Sequence, residues 1–567
     1  MKTKNFISLL GFLVFQGFML GQNFGWVKQI GALLNDKGIN ILVDRSGNIY
    51  LKGVFGYDFD FDPGPGTHIL SANGESDVFI LKLDNAGNYI WAVNFGGPDM
   101  DYWFEHQSVF DLDSSGNVYL MGIFSGTADF DPGLGVNNMT ASSLRSNYVC
   151  KINSSGNLIW AKQYEGGDLG WPAFLGIDPS RNILTVGKFS GTTDFNPGPG
   201  IDTLNGFDAG FITKLDSGGN FLWAKQIGQV PNCGRFSPSG EALLGGAFIG
   251  TVDFDPGTGL NNLTSSGSGI NYDLFLLKLN SIGNFEWVKQ FNCNGDQDME
   301  AIKVNNNGDI LMTSEFSGTI DFDPGPGTSN LTSIGNYDSY ICCLDSSGNY
   351  KWANAFHGLG SSDEGIGMAI EVDQSSNILV CGEFDGSMDF DPGVGNVTLS
   401  GGGVFVTKLD QNGNYLASYQ IMGNNNGGEG IVMDGSNNLY VTGYFKGTAD
   451  FDPGAGVSNL ISNSNSEDAF LLKLTNISTD IVHTSTKGEI IIFPNPANSS
   501  FTVVDQDHSG KMNDLQLTDA TGRVVKVISN VNLVNGLKID VSELSNGMYS
   551  IQIQSDEQFQ VMKIVKQ

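Results

Sequence analysis

Histidine, cysteine and basic residues are scarce in this sequence of 567 residues. The five histidines and six cysteines are scattered, and they form neither a zinc-site spacing nor a His-Glu-x-x-His or Cys-x-x-Cys motif. The 29 lysines and arginines are outnumbered by 61 acidic residues, which gives a formal net charge of −32. A chain this acidic cannot neutralise a phosphate backbone, so nucleic-acid partners are excluded. The sequence also contains no nucleophile elbow and no phosphate-binding loop, and we therefore expect a protein that is not an enzyme.

Long apolar runs are also rare, and the one that stands out lies at the start of the chain. Residues 6–20 are largely apolar and follow Lys2 and Lys4, a pattern typical of a signal peptide. A membrane anchor is the alternative, but about 15 apolar residues are fewer than the ~20 that a spanning helix needs. We therefore predict that residues 1–22 form a signal peptide and that the mature chain is exported without a transmembrane anchor.

The few cysteines allow one disulfide hypothesis. Cys233 and Cys293 fall in comparable loops of neighbouring repeats, and an oxidising compartment would permit a bridge between them. Cys150 and Cys342 occupy an apolar strand position, where a thiol acts as a small hydrophobic group. The sequence leaves both states of the Cys233–Cys293 pair open.

Glycine, in contrast, is abundant at 77 residues, and much of it belongs to a repeat. The string Asp-Phe-Asp-Pro-Gly, with one Asn variant, occurs seven times at intervals of about 65 residues. Its phenylalanines are Phe61, Phe130, Phe195, Phe254, Phe322, Phe390 and Phe451. Each repeat also holds four short segments rich in Val, Ile, Leu, Phe and Tyr and separated by Gly-Asn turns, which is typical of antiparallel hairpins. Four strands per repeat predict the blade of a β-propeller.

The two ends of the repeat region complement each other. Residues 23–30 match the fourth strand of the other repeats, whereas the last repeat stops after its third strand, which ends at Leu474. We therefore predict an all-β fold in which residues 23–475 form a closed seven-bladed β-propeller of four-stranded blades. The N-terminal strand would complete the last blade. An open solenoid of repeats would gain nothing from this offset.

Six of the eight tryptophans occupy one position in the fourth strand. Packing between blades and a ring of ligand-stacking aromatics are the two interpretations, and the mid-strand position favours packing. The six are Trp26, Trp91, Trp160, Trp223, Trp287 and Trp352, and Ala417 takes the seventh place.

These repeats resemble the bacterial β-propeller repeat of the SBBP type, which occurs in large exported and surface proteins. The resemblance is carried by residues 113–119 (Asp-Ser-Ser-Gly-Asn-Val-Tyr) and 468–474 (Asp-Ala-Phe-Leu-Leu-Lys-Leu), and it extends over residues 23–475. It implies the propeller fold and no particular activity.

A second, smaller domain follows the repeats. Residues 476–488 are rich in Thr, Ser and Asn and predict a linker. Residues 489–567 contain several segments in which apolar and polar residues alternate, and we expect them to form a small β-sandwich.

This C-terminal segment resembles the type A sorting domain of the type IX secretion system of Bacteroidetes. The matching residues are Phe493, Pro494, Asn495 and Pro496, then Gly522 in an Asp-Ala-Thr-Gly-Arg turn, and Gly547 and Tyr549 in a Leu-Ser-Asn-Gly-Met-Tyr segment. The resemblance implies Sec export, the type IX secretion machinery as a partner, and a protein that is secreted or attached to the cell surface.

The Asp-Phe-Asp-Pro-Gly segment is the one repeated candidate for a cofactor site. Its two carboxylates lie two residues apart and point to one side of an extended chain, where oxygen ligands would suit Ca²⁺. In the alternative interpretation Asp caps a turn and Phe packs between blades. No other cofactor is expected. The candidate calcium ligands are Asp58, Asp60, Asp62, Asp129, Asp131, Asp253, Asp255, Asp321, Asp323, Asp389, Asp391, Asp450 and Asp452.

Strand order places these loops, and the connections from each fourth strand to the next first strand, on one face of the ring. Variable loops on a rigid scaffold commonly bind ligands. Trp103, Phe104 and Trp171 are candidate ligand-binding aromatics in these connections. We therefore expect a binding or interaction module for an unknown extracellular glycan or protein. An enzyme with a site in the central channel and a passive structural surface protein are the alternatives.

Overall fold

The computed structural model describes residues 22–31, 35–74, 76–97, 109–266, 272–393, 395–423, 426–454, 456–476, 490–493, 499–505, 512–519, 523–533, 536–545, 547–554 and 559–566. The predicted signal peptide and linker lie outside these residues, apart from Gln22 and Asn476. The chain divides into two compact units, residues 1–477 and 478–567.

The first unit contains seven antiparallel blades of four strands each, which we call blades 1 to 7. A hairpin of blade 6 pairs with the outer strand of blade 5 and extends that sheet to six strands. The strands of each blade are named a to d from the inside outward. Blade 1 comprises Lys37–Val43, Ile49–Phe55, Asp77–Leu83 and Tyr89–Phe95. Blade 2 comprises Phe110–Leu112, Val118–Phe124, Ser146–Ile152 and Leu158–Gln163. Blade 3 comprises Glu165–Ile177, Ile183–Asp194, Thr203–Leu215 and Phe221–Ile227. Blade 4 comprises Cys233–Phe236, Ala242–Phe248, Asp273–Leu279 and Phe285–Phe291.

The remaining blades have the same order of strands. Blade 5 comprises Ala301–Val304, Ile310–Phe316, Asp338–Leu344 and Tyr350–Gly358. Blade 6 comprises Glu364–Val372, Ile378–Asp385, Gly403–Leu409 and Tyr415–Ile421. Blade 7 comprises Gly427–Met433, Leu439–Lys446, Glu467–Asn476 and, as its strand d, Gln22–Ile30. The seven-bladed propeller predicted from the repeats is confirmed.

Ring closure follows the predicted pairing. Strand d of blade 7 runs antiparallel to strand c, with Trp26 opposite Lys473 and Ile30 opposite Ala469. The side chain of Thr475 also donates a hydrogen bond to the Asn23 carbonyl, 452 residues away in sequence. The first strand of the ring therefore completes its last blade.

In every blade except blade 3, the b–c loop carries a small separate hairpin. In blade 3, strands b and c are longer and form this hairpin themselves. These hairpins are Phe59–Asp60 with Ile69–Leu70, Thr127–Asp129 with Asn138–Thr140, Thr251–Asp253 with Asn262–Thr264, Thr319–Asp321 with Asn330–Thr332, Ser387–Asp389 with Thr398–Ser400, and Thr448–Asp450 with Asn459–Ile461. A short 3-10 helix, Asn463–Asn465, precedes strand c of blade 7.

Tight five-residue turns connect strand a to strand b, and in blades 1 and 2 they have the sequence Asp-x-x-Gly-Asn. In blade 2, Asp113 Oδ1 accepts hydrogen bonds from the backbone N–H groups of Ser115 and Asn117, at 2.8 and 3.1 Å. The glycine of the turn, Gly116, has a φ of 74°, which glycine adopts without steric cost. Arg181 and Ser376 hold this left-handed position in blades 3 and 6, so the geometry is imposed by the turn even where the residue is not glycine.

Residues shared between neighbouring blades form the core. The Trp91 indole in strand d of blade 1 lies on Gly156 in the c–d turn of blade 2, where a Cβ would lie 3.2 Å from the ring. The same contact with the next blade is made by Trp26, Trp160, Trp223, Trp287 and Trp352. These tryptophans therefore pack between blades, as their mid-strand position suggested.

The described cysteines are all free and buried. Cys233 begins strand a of blade 4 and Cys293 follows strand d of that blade, so the two are not in comparable loops as the sequence analysis expected. Both belong to one hydrophobic cluster and no bridge joins them. Burial raises the pKa of the Cys293 thiol to about 11, which makes it a poor nucleophile.

The C-terminal unit consists of two antiparallel sheets. One contains Ile490–Phe493, Ser500–Asp505 and Leu537–Asp540, and the other contains Val524–Asn532, Met512–Asp519, Gly547–Gln554 and Phe559–Lys566. Phe501 and Ile539 of the first sheet share a core with Leu515 and Ile551 of the second. Two sheets around one apolar core form the small sandwich that the alternating sequence predicts.

Candidate functional site: the loop face of the ring

The loop face is the side of the ring that carries the b–c loops and the d–a connections. In an antiparallel order a-b-c-d these two sets of loops emerge on the same side. The a–b and c–d turns occupy the opposite side. Loops on a rigid sheet scaffold are the usual place for binding residues.

The seven a strands line a central channel with a volume of about 790 Å³. Four charged side chains stand at one level of it, two residues before the a–b turns. Lys303 Nζ lies 2.6 Å from Glu371 Oε1, and Asp111 Oδ2 accepts the Ile177 N–H at 2.9 Å. Burial raises the pKa of Asp111, and the nearby Arg235 partly opposes that rise. Two acids and two bases therefore compensate each other at this level.

A cluster of carboxylates lies at the loop-face end of the channel, on blades 5 to 7. We call Asp298, Glu300, Glu315, Glu383 and Glu429 the acidic cluster. Burial raises the pKa of Glu300 well above its usual value, and the charges of Asp298, Glu315 and Glu429 raise it further. Burial likewise raises the pKa of Asp298, Glu315 and Glu383. Perturbed carboxyl groups in a cleft are a recurrent property of functional sites.

Hydrogen bonds hold part of this cluster in place. Asp298 accepts hydrogen bonds from the Asn232 side chain and, at 2.7 Å, from the Met299 N–H. Ser314 Oγ donates to Glu315 Oε2 at 2.6 Å, and the Tyr444 hydroxyl donates to Glu383 Oε2 at 2.9 Å. The positions of these carboxylates are therefore fixed by neighbouring polar groups.

A second cavity of about 520 Å³ opens on the loop face between blades 6 and 7, and we call it the blade 6–7 pocket. Its polar residues come from the strand ends and loops of both blades: Glu364, Glu383, Asp385, Asn426, Tyr444 and Glu467. Gly401, Gly402 and Gly403 form one wall, so backbone rather than side chains bounds the pocket there. The pocket thus combines an open wall with a strongly acidic lining.

The Asp-Phe-Asp-Pro-Gly loops use their carboxylates within the loop. In blade 2, Asp129 Oδ1 accepts the N–H groups of Asp131 and Asn137 at 3.0 and 2.7 Å. Asp131 Oδ1 accepts the Gly133 N–H at 2.9 Å. A Cβ on Gly135 would overlap Asp131 Oδ2, which explains the second glycine of the repeat.

The same hydrogen bonds recur in the other six blades. The first acid of each motif accepts two backbone N–H groups, and the second residue accepts the N–H of the motif glycine. The first acids are Asp60, Asp194, Asp253, Asp321, Asp389 and Asp450, and the second residues are Asp62, Asn196, Asp255, Asp323, Asp391 and Asp452. Asp58, the third acid of the first repeat, is exposed. Among all described residues, no three His, Cys, Asp or Glu side chains are placed to hold a metal ion.

The phenylalanine of each loop packs between blades. Phe390 of blade 6 has its ring centroid 5.5 Å from Phe356 in strand d of blade 5, and Phe195 of blade 3 lies 5.3 Å from Tyr164 after strand d of blade 2. Backbone bridges accompany these contacts, for example from Cys293 to Ile320. The hairpins therefore pack against the preceding blade and stabilise the contact between the two blades.

The predicted ligand-binding aromatics are only partly described. Trp171 lies at the start of blade 3 on the loop face, is 39% exposed, and has Lys188 Nζ 5.1 Å from its ring centre. Trp103 and Phe104 lie outside the described residues. The structure places Trp171 on blade 3, whereas the blade 6–7 pocket is built from blades 6 and 7.

The sorting-motif residues are described in part. Phe493 ends a strand, Gly547 begins one, and the hydroxyl of the buried Tyr549 donates to the Ser545 carbonyl at 2.8 Å. Pro494, Asn495, Pro496 and Gly522 lie outside the described residues. Tyr549 therefore serves the packing of the C-terminal sandwich.

The acidic cluster was missed by the sequence analysis. Glu315 and Glu383 stand at the next-to-last shared position of strand b, where other blades carry uncharged Val54, Ile123 and Ala247. An alignment of the seven repeats against one another would have shown this local accumulation of acid on blades 5 and 6.

The fold defines the class of the protein as a seven-bladed β-propeller. Residues 491–567 match the family described as a secretion system C-terminal sorting domain, and residues 25–53 match the β-propeller repeat family. The protein thus joins a β-propeller repeat ring to a type IX sorting domain. It is exported and either secreted or attached to the cell surface. Among the described residues, no helix has the length and apolar character needed to cross a membrane.

Comparison with individual proteins adds a distant relative. An uncharacterized WD repeat-containing protein of Acanthamoeba polyphaga mimivirus is 21% identical over 81% of this chain. The chain spans 39% of the length of that relative.

Three solved structures are similar at a low level. They are a protein of unknown function from Bacteroides caccae (11% identity, TM-score 0.19, 68% of this chain and 90% of that one), an ulvan lyase of a polysaccharide lyase family (8%, 0.28, 85% and 93%), and latent PorU from Porphyromonas gingivalis (10%, 0.12, 74% and 35%). None of these scores is high enough to transfer a function.

Proposed function

We propose that this exported protein is a binding module without catalytic activity, and that its loop face holds an extracellular protein or glycan. The observation that carries the proposal is the blade 6–7 pocket. Its volume of about 520 Å³ lies within the range of roughly 300–1,000 Å³ that ligand pockets occupy. Its polar lining comes from the strand ends and loops of two neighbouring blades.

The charges of the channel support binding over catalysis. Lys303 is paired with Glu371, and Asp111 accepts a backbone N–H from the next blade. Groups engaged in this way hold neighbouring blades together. They are therefore poorly placed to exchange protons with a substrate.

One residue favours a second candidate, an enzyme acting in the channel. Glu300 lines the channel, and its raised pKa favours the protonated form that a general acid needs. If this candidate were correct, the protein would cleave an extracellular polysaccharide and the substitution Glu300→Gln would abolish that cleavage.

Arrays of extracellular glycans and proteins probed with the full mature chain test the proposal. We expect at least one ligand to be retained, and retention to fall with Glu383→Gln on the loop face. Glu286→Gln, at the opposite end of a blade, is the matched control and should leave retention unchanged. Retention of no ligand, together with cleavage that depends on Glu300, would overturn the binding proposal in favour of the enzyme.

A further inference from the structure

The blade 6–7 pocket has a charge that its own residues do not balance. Four carboxylates line it, from Glu364, Glu383, Asp385 and Glu467. Lys37 offsets one of them, because its Nζ lies 3.6 Å from Glu467 Oε2 and 4.3 Å above the Tyr444 ring. Burial raises the pKa of Glu383, because this carboxylate has little contact with solvent. An excess of partly buried negative charge attracts a cationic ligand.

The arrangement of the carboxylates does not suit a single metal ion. Within the part of the chain that the structure describes, no three acidic, His or Cys side chains converge closely enough to hold one. The four carboxylates instead surround a cavity large enough for a ligand of several non-hydrogen atoms. An organic cation fits this spread of charge better than Ca²⁺, whose oxygen ligands must lie within about 2.6 Å of it.

A buried amide in the same pocket lacks a hydrogen-bond acceptor. Asn426 is 4% exposed, and its Oδ1 accepts the Lys446 N–H at 3.2 Å. Its Nδ2 has no hydrogen-bond partner among the residues that the structure describes. Buried donors are normally satisfied, so a ligand that brings an oxygen acceptor to Asn426 would complete the site.

These observations call for a ligand that carries both a cation and a carbonyl oxygen. A lysine or arginine residue of a peptide has the two groups one side chain apart. A neutral glycan would leave the carboxylate charge unbalanced, and an anionic glycan would be repelled by a chain of net charge −32. The glycine wall of residues 401–403 lets a peptide backbone approach closely, because no side chain stands in the way.

Building on the proposed binding function, we propose that the blade 6–7 pocket binds a lysine- or arginine-bearing segment of an extracellular protein. The cationic group lies against Glu383 and Glu364, and a backbone carbonyl accepts the hydrogen bond of Asn426 Nδ2. The Tyr444 hydroxyl, which donates to Glu383 at 2.9 Å, fixes the orientation of the receiving carboxylate.

Fluorescence anisotropy with the full mature chain tests this assignment. The probes are a capped pentapeptide with two lysines, the same peptide with glutamine for both lysines, and neutral and sulfated oligosaccharides. We expect binding of the lysine peptide that weakens with salt, and no binding of the glutamine peptide. Glu383→Gln should weaken it about tenfold or more, and Asn426→Ala by a smaller factor. Glu286→Gln should not change it, and thermal melts identify any variant that fails to fold.

The outcomes separate this inference from the proposed function. Binding of the lysine peptide that ignores Glu383→Gln and Asn426→Ala would overturn the pocket assignment and leave a binding module. Binding of oligosaccharides alone would overturn the peptide as partner and would still support binding on the loop face. Absence of binding to every probe and to the arrays described above would overturn both.

Discussion

Trp91 and Ser154 join two neighbouring blades through one hydrogen bond. The indole Nε1 of Trp91, in strand d of blade 1, donates to the carbonyl oxygen of Ser154 in the c–d turn of blade 2 at 3.0 Å. Lys82 Nζ donates to the same oxygen at 2.8 Å. Trp160 and Ser217 repeat this contact one blade further, at 3.4 Å. Trp91 and Trp160 thus connect neighbouring blades by a hydrogen bond as well as by apolar packing.

Replacing this tryptophan should weaken the contact between blades 1 and 2. We expect Trp91→Ala to lower the free energy of unfolding by about 3 kcal/mol, the low end for a large aromatic, because the ring is half-buried. Trp91→Phe should lower the free energy of unfolding less, since the Ser154 oxygen still accepts a hydrogen bond from Lys82. Chemical denaturation of the mature chain measures both. Equal losses for the two variants would contradict the contribution of ring packing, and an unchanged stability of Trp91→Phe would contradict that of the hydrogen bond.

Ring closure depends on residues 23–30. Deleting them removes the partner of strand c in blade 7. The melting temperature of the entire ring should fall, because blade 7 then lacks its outer strand and its link to blade 1. A permuted chain with residues 23–30 moved to follow residue 476 keeps the composition and should recover most of that loss. A deletion variant that melts like the wild type would show that this strand is dispensable.

The Asp-Phe-Asp-Pro-Gly hairpins should respond to loss of the phenylalanine more than to loss of charge. Phe130 is 1% exposed and has its ring centroid 5.0 Å from Phe124, so Phe130→Ala should cost about 3–5 kcal/mol. Asp129→Ala leaves two N–H groups without their acceptor and should cost about 1–3 kcal/mol. Asp129→Asn keeps an acceptor oxygen and should cost little. Equilibrium unfolding of the three variants compares these effects directly.

Calcium should have little effect on these hairpins. Asp129 and Asp131 already accept backbone N–H groups, and Asn196 in blade 3 accepts the equivalent N–H at 2.9 Å without a charge. We therefore expect the same melting temperature with Ca²⁺ and with a chelator, for wild type and for Asp129→Asn with Asp131→Asn. A rise with Ca²⁺ that the double variant lacks would instead establish a calcium site.

The acidic cluster should make stability fall as pH rises. The pKa of Glu300 in the folded chain is above its usual 4.5, because of burial and the charges of Asp298, Glu315 and Glu429. The folded state therefore binds this proton more tightly than the unfolded chain does. Its contribution to stability is complete below about pH 4 and is lost as pH rises through the folded-state pKa.

Glu300→Gln should remove that loss. We expect the variant to equal wild type in acid and to be more stable than wild type at neutral pH. Glu165→Gln, at an exposed position of blade 3, is the matched control and should follow the wild-type curve. Melting temperatures between acid and neutral pH measure the difference, and parallel curves for wild type and Glu300→Gln would disprove the assignment.

Removal of residues 489–567 should separate export from folding. The ring has its own core, so the truncated chain should fold and melt like the full protein. It should stay in the periplasm, because the sorting domain is gone. Fractionation of producing cells measures the location, and normal amounts of truncated protein in the medium or at the cell surface would contradict the role of residues 489–567.

The fold was readable from the sequence because its signals are local or repeated. Gly-Asn turns, seven phenylalanine motifs and the match of residues 23–30 to other fourth strands each have a direct structural counterpart. The packing of the repeated tryptophans between blades was also predicted from the sequence, because a large aromatic in the middle of a blade strand packs against the neighbouring blade.

The acidic cluster could not be read in the same way. Glu300 and Glu429 lie far apart in sequence and meet only because blades 5 and 7 both border the channel. Bulges also interrupt the alternation of the inner strands, for example where the register shifts between Gly428 and Gly430 around Glu429. A period of two residues therefore fails to tell which of these side chains face the channel.

The carboxylate pairs show a different limit. Spacing correctly suggested that Asp129 and Asp131 act together, but it did not give their partners. The N–H groups of residues 131, 133 and 137 compete for these oxygens as soon as the turn forms. Sequence spacing describes where acceptors are, whereas the tight turn decides which donors reach them.

The pairing of the first strand with the last imposes an order on biogenesis. The strand that is made first in the ring has its partner 452 positions later, a contact of very high sequence separation. Such contacts slow folding, because a long chain must be brought together before they form. Blade 7 therefore stays incomplete until synthesis has passed the whole ring. Until residues 467–476 have been made, residues 22–30 remain an unpaired strand edge, which is the kind of segment that pairs with other chains.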